Sequence, residues 1–274
     1  MNKIALAIHD LSCYSKSSLT VVIPVLEAMG VECAVLPTAL LSTQTDGFES
    51  YFFQDETSAM RSIVEKHKEL NIEFDGIYSG FLGSCEQIEI VETLLKDHKK
   101  SLKLVDPVLG DNGELYSAMS LEHVKKMKRL VALADVMTPN YTEALLLSGL
   151  DYIDGLTQKD ISVLVDAMRK LGPEKGVVTS VPLALGMKGN IAYSEEGARI
   201  FTFEQSDLSY PGSGDLFASI LFSYYLNTTS FFSSAALATE LSSEAVFCSR
   251  RDGREKRMGV ALGSVFTSLK RKVL

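Results

Sequence analysis

Short apolar runs alternate with longer segments of helical periodicity along the first two thirds of the chain. Strands are predicted at residues 4–8, 31–36, 75–78, 102–105, 135–138 and 176–179. Helices are predicted at residues 19–29, 57–70, 86–99, 121–133, 140–147 and 158–170. Because strands spaced in this way need crossover connections, the pattern predicts an α/β fold, a three-layer α/β/α sandwich with a mostly parallel central sheet.

The pattern changes in the last third of the chain. Residues 188–205 alternate apolar and polar positions around Glu195-Glu-Gly197, which predicts an antiparallel hairpin. A glycine-rich corner at residues 212–214 then opens an apolar helix to about residue 226, and two more helices are predicted at about 231–248 and 264–272. Since no repeat or linker interrupts the chain, we expect a single domain over residues 1–274.

Composition narrows the class of protein. The chain has 274 residues, of which 46% are hydrophobic and 23% charged, and its formal net charge is −8. A negative surface argues against a nucleic-acid binder and against binding to anionic lipid, so an anionic substrate would need a local site. The four scattered cysteines, the absence of a signal-like N-terminus and the absence of a membrane-length apolar run lead us to expect a cytoplasmic protein with reduced thiols.

Residues 205–219 hold the chain's most informative motif. Gly212, Ser213 and Gly214 deliver one acid, Asp215, onto the first turn of an apolar helix. Unpaired N–H groups at a helix start attract anions, and a carboxylate beside them could take a proton from an attacking hydroxyl. The alternative is an ordinary turn followed by an acid that complements the helix dipole.

Further residues with side chains suited to binding or catalysis are predicted just after strands or at helix starts. They are Asp10, Phe81, Asp106, Asp111, Asn140, Thr179 and Asp215. Since the carboxyl ends of parallel strands share one edge of the sheet, we expect these residues to converge on one cleft.

Each of these residues also has a purely structural interpretation. Asp106 precedes a proline and Asp111 precedes Asn-Gly, and both sequences are typical of turns. Asn140 and Glu143 have the spacing of a helix capping box. His9 fits a packed or edge residue better than a catalyst. Walker A, dinucleotide, HExxH, Ser-elbow and protein-kinase motifs are missing, so common signatures do not decide between the interpretations.

Four ordered motifs give the chain a family resemblance. The segment Gly212-Ser-Gly-Asp215-Leu-Phe-Ala resembles the anion-hole and catalytic-base signature of the ribokinase-like kinases. The other three, which resemble the pyridoxal or pyridoxamine kinases of that superfamily, are Ser79-Gly-Phe-Leu-Gly-Ser-Cys-Glu-Gln87, Val105-Asp-Pro-Val-Leu-Gly-Asp111 and Thr138-Pro-Asn-Tyr-Thr-Glu143. The resemblance covers nearly the whole chain.

The resemblance implies a homodimer that transfers the γ-phosphate of ATP to the 5′-hydroxymethyl group of a B6 vitamer. Asp215 would be the base, and the backbone of Gly212, Ser213 and Gly214 would form the anion hole. The residues that would contact ATP are Asp106, Asn140, Glu143, Thr179 and Ser180. The residues that would lie around Mg²⁺ are Asp106, Asp111 and Glu143, and a monovalent cation, K⁺, is also expected.

On the substrate side, the resemblance implies contacts with a flat ring. The matching residues are Asp10, Ser12, Gln44, Thr45, Phe81, Tyr116 and Asp215. Many members of the family have Ser where this chain has Asp10, and Tyr where it has Phe81, so we expect Asp10 to influence which vitamer is preferred. Residues 42–56 are a candidate flap, although their aromatic residues suit a dimer contact equally well.

Two other functions remain open at this point. A hydroxymethylpyrimidine kinase, or another small-molecule kinase of the superfamily, would share the same core motifs. A non-catalytic B6-binding protein would keep the fold without turnover, but the retained Asp215 and glycines argue against it. Cys85 is expected near the cleft, either as a half-buried structural thiol or as a reactive one.

Overall fold

A computed structural model describes residues 2–203 and 209–272. The chain forms two compact units, the first built from residues 1–80 and 206–274 and the second from residues 81–205. The single domain over residues 1–274 stays a prediction.

The secondary structure follows the predicted alternation closely. The strands are β1 Lys3–Ser12, β2 Val31–Leu41, β3 Phe53–Asp55, β4 Gly76–Ser79, β5 Leu102–Val105, β6 Gly110–Asp111, β7 Glu114–Leu115, β8 Val136–Met137, β9 Lys175–Leu183, β10 Met187–Ser194 and β11 Gly197–Phe203. The helices are α1 Leu19–Ala28, α2 Thr57–Glu69, α3 Cys85–Asp97, α4 Leu121–Val131, α5 Tyr141–Ser148, α6 Gln158–Arg169, α7 Ser213–Thr228, α8 Phe231–Arg251 and α9 Gly263–Lys272.

In the first unit the strand order is β4-β1-β2-β3. β1 pairs in parallel with β2 and β4, and only the short edge strand β3 is antiparallel. β1 is apolar and almost fully buried from Leu6 to Ile8 because helices pack against it, with α1 contacting both β1 and β2. The register between β1 and β2 shifts between His9 and Leu11, so Asp10 occupies an irregular position in the strand.

In the second unit the strand order is β11-β10-β9-β8-β5. β5, β8 and β9 pair in parallel, whereas β9, β10 and β11 form the antiparallel end. The predicted hairpin is therefore confirmed for β10 and β11, and its last two residues, 204–205, lie outside the described residues. The α/β class with a mostly parallel sheet is confirmed by the parallel strands and their crossover helices.

Several elements differ from the prediction at their ends. β1 continues to Ser12 and β9 to Leu183, so Asp10 and Thr179 lie inside strands and not just after them. Three short strands, β3, β6 and β7, were absent from the prediction. They have two or three residues each and β3 is exposed throughout, so no apolar run marks them.

Candidate active site

Asp215 is the third residue of α7, as the glycine-rich corner predicts. Gly212 is the residue before the helix and has a φ of 81°, a left-handed conformation that favours glycine. A Cβ at Gly212 would also lie 2.6 Å from the carbonyl oxygen of Lys16. The N–H of Ser213 donates to the carbonyl of Tyr210 at 3.2 Å, so one of the predicted anion-hole donors already has a partner. Gly214 is exposed, and residues 205–208 of this motif lie outside the described residues.

The Asp215 carboxylate accepts a hydrogen bond from one residue of the first unit and lies close to a second. Its Oδ2 accepts the backbone N–H of Ser18 at 2.8 Å, and its Oδ1 lies 3.8 Å from Nδ1 of His9. The side chain is 17% exposed. Burial raises the pKa of Asp215 to about 6, an effect that the Ser18 N–H reduces and the nearby Asp10 carboxylate increases. A carboxylate tuned in this way suits a general base near neutral pH.

Asp10 lies in the same network, 6% exposed, at the irregularity of β1. Its Oδ1 accepts the hydroxyl of Ser18 at 2.5 Å, and its Oδ2 accepts the hydroxyl of Ser12 at 3.1 Å. Burial raises the pKa of Asp10, and the two serine hydroxyls counteract that rise. Irregularities of strand pairing redirect side chains, and this one places Asp10 in contact with Ser18, whose N–H binds Asp215.

His9 contacts the predicted base, which sequence reasoning missed. Its ring is fully buried, stacks edge-on against Tyr78 at 4.4 Å, and has no hydrogen-bond partner for either nitrogen among the described residues. A Cβ at Gly80 would lie 2.2 Å from His9 Nδ1, so the glycine makes room for the ring. Burial lowers the pKa of His9 to about 3, which keeps the imidazole neutral. The signal in the sequence was the pair His9 and Gly80, each at the end of a predicted strand.

The polar loop after β2 contains two of the predicted substrate residues, Gln44 and Thr45, in different settings. Gln44 is buried, and its amide group bonds the backbone of Asp46 and the carbonyl of Arg257. Thr45 is exposed. Lys256 adds an ion pair with Asp46 at 3.1 Å. The loop is thus fastened to the segment before α9, and the amide of Gln44 already has structural partners.

Two predicted ring contacts belong to the second unit. Phe81 is its first residue and is half-buried, whereas Tyr116 is 44% exposed. Cys85 is the first residue of α3 and is half-buried, and all four cysteines are free thiols. Substrate contact by Phe81 and Tyr116 stays a prediction.

The second unit gathers several of the predicted nucleotide residues at the start of α5. Asn140 and Glu143 form the capping box: the Asn140 side chain accepts the Glu143 N–H at 2.9 Å, and Glu143 Oε2 accepts the Asn140 N–H at 2.8 Å. The same side chains reach the 106–111 segment, since Glu143 Oε1 accepts the N–H of Leu109 at 3.1 Å and the Asn140 amide donates to the carbonyl of Gly110 at 2.8 Å. The structural interpretation of this pair is therefore correct, and it also ties two predicted ATP-binding segments together.

The predicted magnesium residues offer oxygen ligands in different settings. Asp106 and Glu143 are buried, whereas Asp111 is exposed and accepts the N–H of Asn112 at 2.8 Å. Burial raises the pKa of Glu143 to about 8, and the charge of Asp111 adds to the rise. No group of three or more His, Cys, Asp or Glu side chains suited to a metal occurs within residues 2–203 and 209–272. Carboxylates of this kind fit Mg²⁺, which keeps several water ligands of its own.

Thr179 and Ser180 lie next to this cluster in β9. Thr179 forms an isolated parallel bridge with Asn140, and its N–H donates to the carbonyl of Pro139 at 2.9 Å. Ser180 has a left-handed φ of 58° and its N–H donates to the side chain of Asn190 at 3.1 Å. Asn190 is buried in β10 where the register shifts between Gly189 and Ile191, and its contact with Ser180 has no signal in the sequence.

Comparisons with known proteins agree with the motifs. A family model described as phosphomethylpyrimidine kinase matches residues 23–258. Human pyridoxal kinase is 26% identical over 230 residues, which is 72% of each chain. No helix of the described residues has the length and hydropathy needed to cross a bilayer.

Two solved structures are similar over almost the full length. A Bacteroides thetaiotaomicron protein, described as a phosphomethylpyrimidine kinase and crystallised with pyridoxal, is 35% identical, with a TM-score of 0.92 over 98% of this chain and 96% of that one. Pyridoxal kinase from Lactobacillus plantarum is 30% identical, with a TM-score of 0.91 over 98% of this chain and 97% of that one.

Proposed function

Because this chain belongs to the phosphomethylpyrimidine kinase family, whose members are ATP-dependent kinases, we propose that it phosphorylates the 5′-hydroxymethyl group of a B6 vitamer. The vitamers concerned are pyridoxal, pyridoxine and pyridoxamine. The products are the vitamer 5′-phosphate and ADP. A kinase activity excludes the non-catalytic alternative, which the retained Asp215 and its glycine-rich corner also disfavour.

One observation supports this function above the others: a carboxylate, Asp215, stands in the first turn of α7, accepts the Ser18 N–H and has a raised pKa. In the proposed reaction Asp215 takes the proton of the 5′-hydroxyl as its oxygen attacks the γ-phosphorus. The bond between that phosphorus and the β,γ-bridging oxygen breaks, and ADP leaves with the bond's electrons. N–H groups at the start of α7 would stabilise the negative charge of the transferring phosphoryl group.

We assign nucleotide binding to the cluster of the second unit. Asn140, Thr179 and Ser180 would contact ATP, and the hydrogen bonds of Glu143 keep their segment in place. Asp106, Asp111 and Glu143 would hold Mg²⁺, in part through water, because both oxygens of Glu143 already accept N–H groups. Bound Mg²⁺ would neutralise charge on the phosphates, and K⁺ is proposed as a second cation.

Relatives favour a B6 vitamer over hydroxymethylpyrimidine as the substrate. The family description names a pyrimidine, but a similar protein with that description was crystallised with pyridoxal, and other relatives are named pyridoxal kinases. Asp10 supplies a buried acceptor for a polar ring substituent, which all three vitamers carry.

A side-by-side substrate panel tests the function. We would measure kcat/KM with saturating MgATP and K⁺ for the three vitamers, hydroxymethylpyrimidine and a sugar. The proposal predicts that at least one vitamer has the highest kcat/KM. A clear preference for hydroxymethylpyrimidine or the sugar would overturn the assignment of the ring, and an absence of turnover with every substrate would overturn the kinase.

Assembly and location are part of the same proposal. We propose a homodimer in the cytoplasm, consistent with four free thiols. The exposed aromatic side chains of Phe52 and Phe53, beside and within the edge strand β3, offer an apolar surface for a second copy. Sedimentation of the wild type and of a Phe52→Ser, Phe53→Ser variant would test this surface, because the dimer should dissociate only in the variant.

A further inference from the structure

Ser18 connects two carboxylates that the proposed function places in different roles. Its backbone N–H donates to Oδ2 of Asp215 at 2.8 Å, and its hydroxyl donates to Oδ1 of Asp10 at 2.5 Å. Ser18 is 8% exposed; its hydrogen bond to Asp10 is buried and its hydrogen bond to Asp215 is partly buried. One residue thus contacts both the proposed base and the proposed ring-recognition group.

The backbone of Ser18 is held in a conformation that suits glycine. Its φ is 49° and its ψ is −131°, a combination that residues with a Cβ rarely adopt. Such conformations persist only where the surroundings enforce them, and they concentrate at functional sites. Four hydrogen bonds hold Ser18: those to Asp10 and Asp215, and those that its carbonyl accepts from the N–H groups of Val21 and Val22 at 2.9 Å.

The hydroxyl of Ser18 does not cap the helix that follows it. Ser18 precedes the first residue of α1, where a serine side chain normally accepts a backbone N–H of the first turn. Here no such capping bond forms, and the hydroxyl binds Asp10 instead. The start of α1 therefore lacks a stabilising capping bond, because the Ser18 hydroxyl is used in the hydrogen bond to Asp10.

We propose that Ser18 is a positioning residue that couples recognition of the substrate ring at Asp10 to the placement of Asp215. The inference rests on the proposed function, in which Asp215 is the base and Asp10 meets the ring. Each oxygen of Asp10 accepts one serine hydroxyl and keeps the capacity to accept another donor. A ring substituent that donates a hydrogen bond to Asp10 therefore contacts the carboxylate that binds the Ser18 hydroxyl. Because the Ser18 N–H binds Asp215, the effect of the ring reaches the base. Discrimination among vitamers then shows in kcat and not only in KM.

Ser18→Gly is the matched test of the hydroxyl. Glycine adopts the backbone of Ser18 without strain and keeps its N–H, so only the link to Asp10 is lost. We expect kcat for the preferred vitamer to fall about tenfold, the usual scale for a hydrogen bond to a charged group, with a smaller change in KM.

Ser15→Gly serves as the control in the same loop. Ser15 is also left-handed, with a φ of 72°, and its hydroxyl is buried without a partner among the described residues. This variant makes the same substitution away from both carboxylates, so its kcat should equal that of the wild type. Circular dichroism and thermal unfolding of both variants check that each one folds.

A double-mutant cycle separates coupling from a local effect. In an Asp10→Ala background the acceptor of the Ser18 hydroxyl is gone, so Ser18→Gly should change kcat by less than about twofold. Equal losses in the two backgrounds, or a Ser18→Gly enzyme with the kcat of the Ser15→Gly control, would overturn the coupling and leave the kinase assignment intact. A wild-type protein that phosphorylates no vitamer would overturn both.

Discussion

The Nδ1 atom of His9 lies 3.8 Å from the Oδ1 atom of Asp215, and the two side chains shift their pKa values in opposite directions. Burial keeps His9 neutral and favours the protonated form of Asp215. The charged base thus stands beside an uncharged polar ring, which does not stabilise it as an imidazolium ion would. This arrangement leaves Asp215 basic enough to accept a proton.

His9 should make the protein less stable in acid. Its folded pKa of about 3 lies below the unfolded value of 6.5, so the unfolded state binds more protons between these values and the contribution of His9 to the free energy of unfolding is lost as pH falls. Asp215 has the opposite effect between about pH 6 and pH 3.8. Its folded pKa is raised, so the folded state binds more protons in this range and the contribution of Asp215 to the free energy of unfolding increases as the pH falls.

A His9→Gln variant isolates the histidine contribution. Its free energy of unfolding relative to the wild type should rise by up to about 1.4 kcal/mol per pH unit as the pH is lowered from about 6.5 towards 4. Urea unfolding at several pH values measures the difference, in which the contributions of other groups cancel. A difference that does not vary with pH would contradict a neutral buried His9.

The pH dependence of the rate reports the base itself. Asp215 must be ionised to accept a proton, and its pKa is raised to about 6, so kcat/KM should be level above about pH 7 and fall as the pH drops through 6. Initial rates across pH 5 to 8 in constant ionic strength check this expectation. A kcat/KM that stays level down to pH 5, as expected for an aspartate with an ordinary pKa near 4, would contradict the raised pKa.

Asp10 should set the preference among vitamers. Asp10→Ser removes a buried carboxylate and leaves a hydroxyl, so interactions with a donor group on the ring weaken while acceptor groups gain a partner. We expect the ratio of kcat/KM between two vitamers to change by about tenfold or more, with KM for ATP unchanged. The same ratio in Asp10→Ser and the wild type would show that the ring is recognised elsewhere.

Substitution of Asn190 should change the KM for ATP and not the KM for the vitamer. Its side chain accepts the N–H of the left-handed Ser180, so Asn190→Ala leaves that N–H without its acceptor and frees the segment proposed to contact ATP. We expect KM for ATP to rise about tenfold, while KM for the vitamer changes less than twofold. Asn190→Asp, which keeps the acceptor oxygen, serves as the control and should retain more of the ATP affinity.

The alternation of apolar runs was sufficient to predict the main elements, because buried strands and amphipathic helices leave a strong local signal. The helix after Gly212 and the capping box of Asn140 and Glu143 were predicted for the same reason, since both depend on residues close in sequence. The short strand β3 depends on pairing with β2, whereas β6 and β7 pair with each other across a tight turn, and none of the three is long enough to carry an apolar pattern.

The network around Asp215 could be predicted only in part. The acid and its glycines form a local motif, whereas its contacts with His9 of β1 and with Ser18, the residue before α1, join segments about 200 residues apart in sequence and depend on tertiary packing. The register shift that redirects Asp10 arises from strand pairing. The positive φ of Ser18 occurs at a serine, a residue type that does not predict such a conformation. Neither feature follows from composition or periodicity.

The most direct test of the account is the turnover of Asp215→Asn. Asparagine keeps an oxygen that can accept the Ser18 N–H, so the fold should survive, which thermal unfolding would verify. With saturating ATP and the best vitamer, we predict that kcat for 5′-phosphate formation falls at least about 100-fold, because general bases contribute about 10²–10⁴ to the rate. A folded Asp215→Asn enzyme with a kcat within about twofold of the wild type would contradict Asp215 as the base.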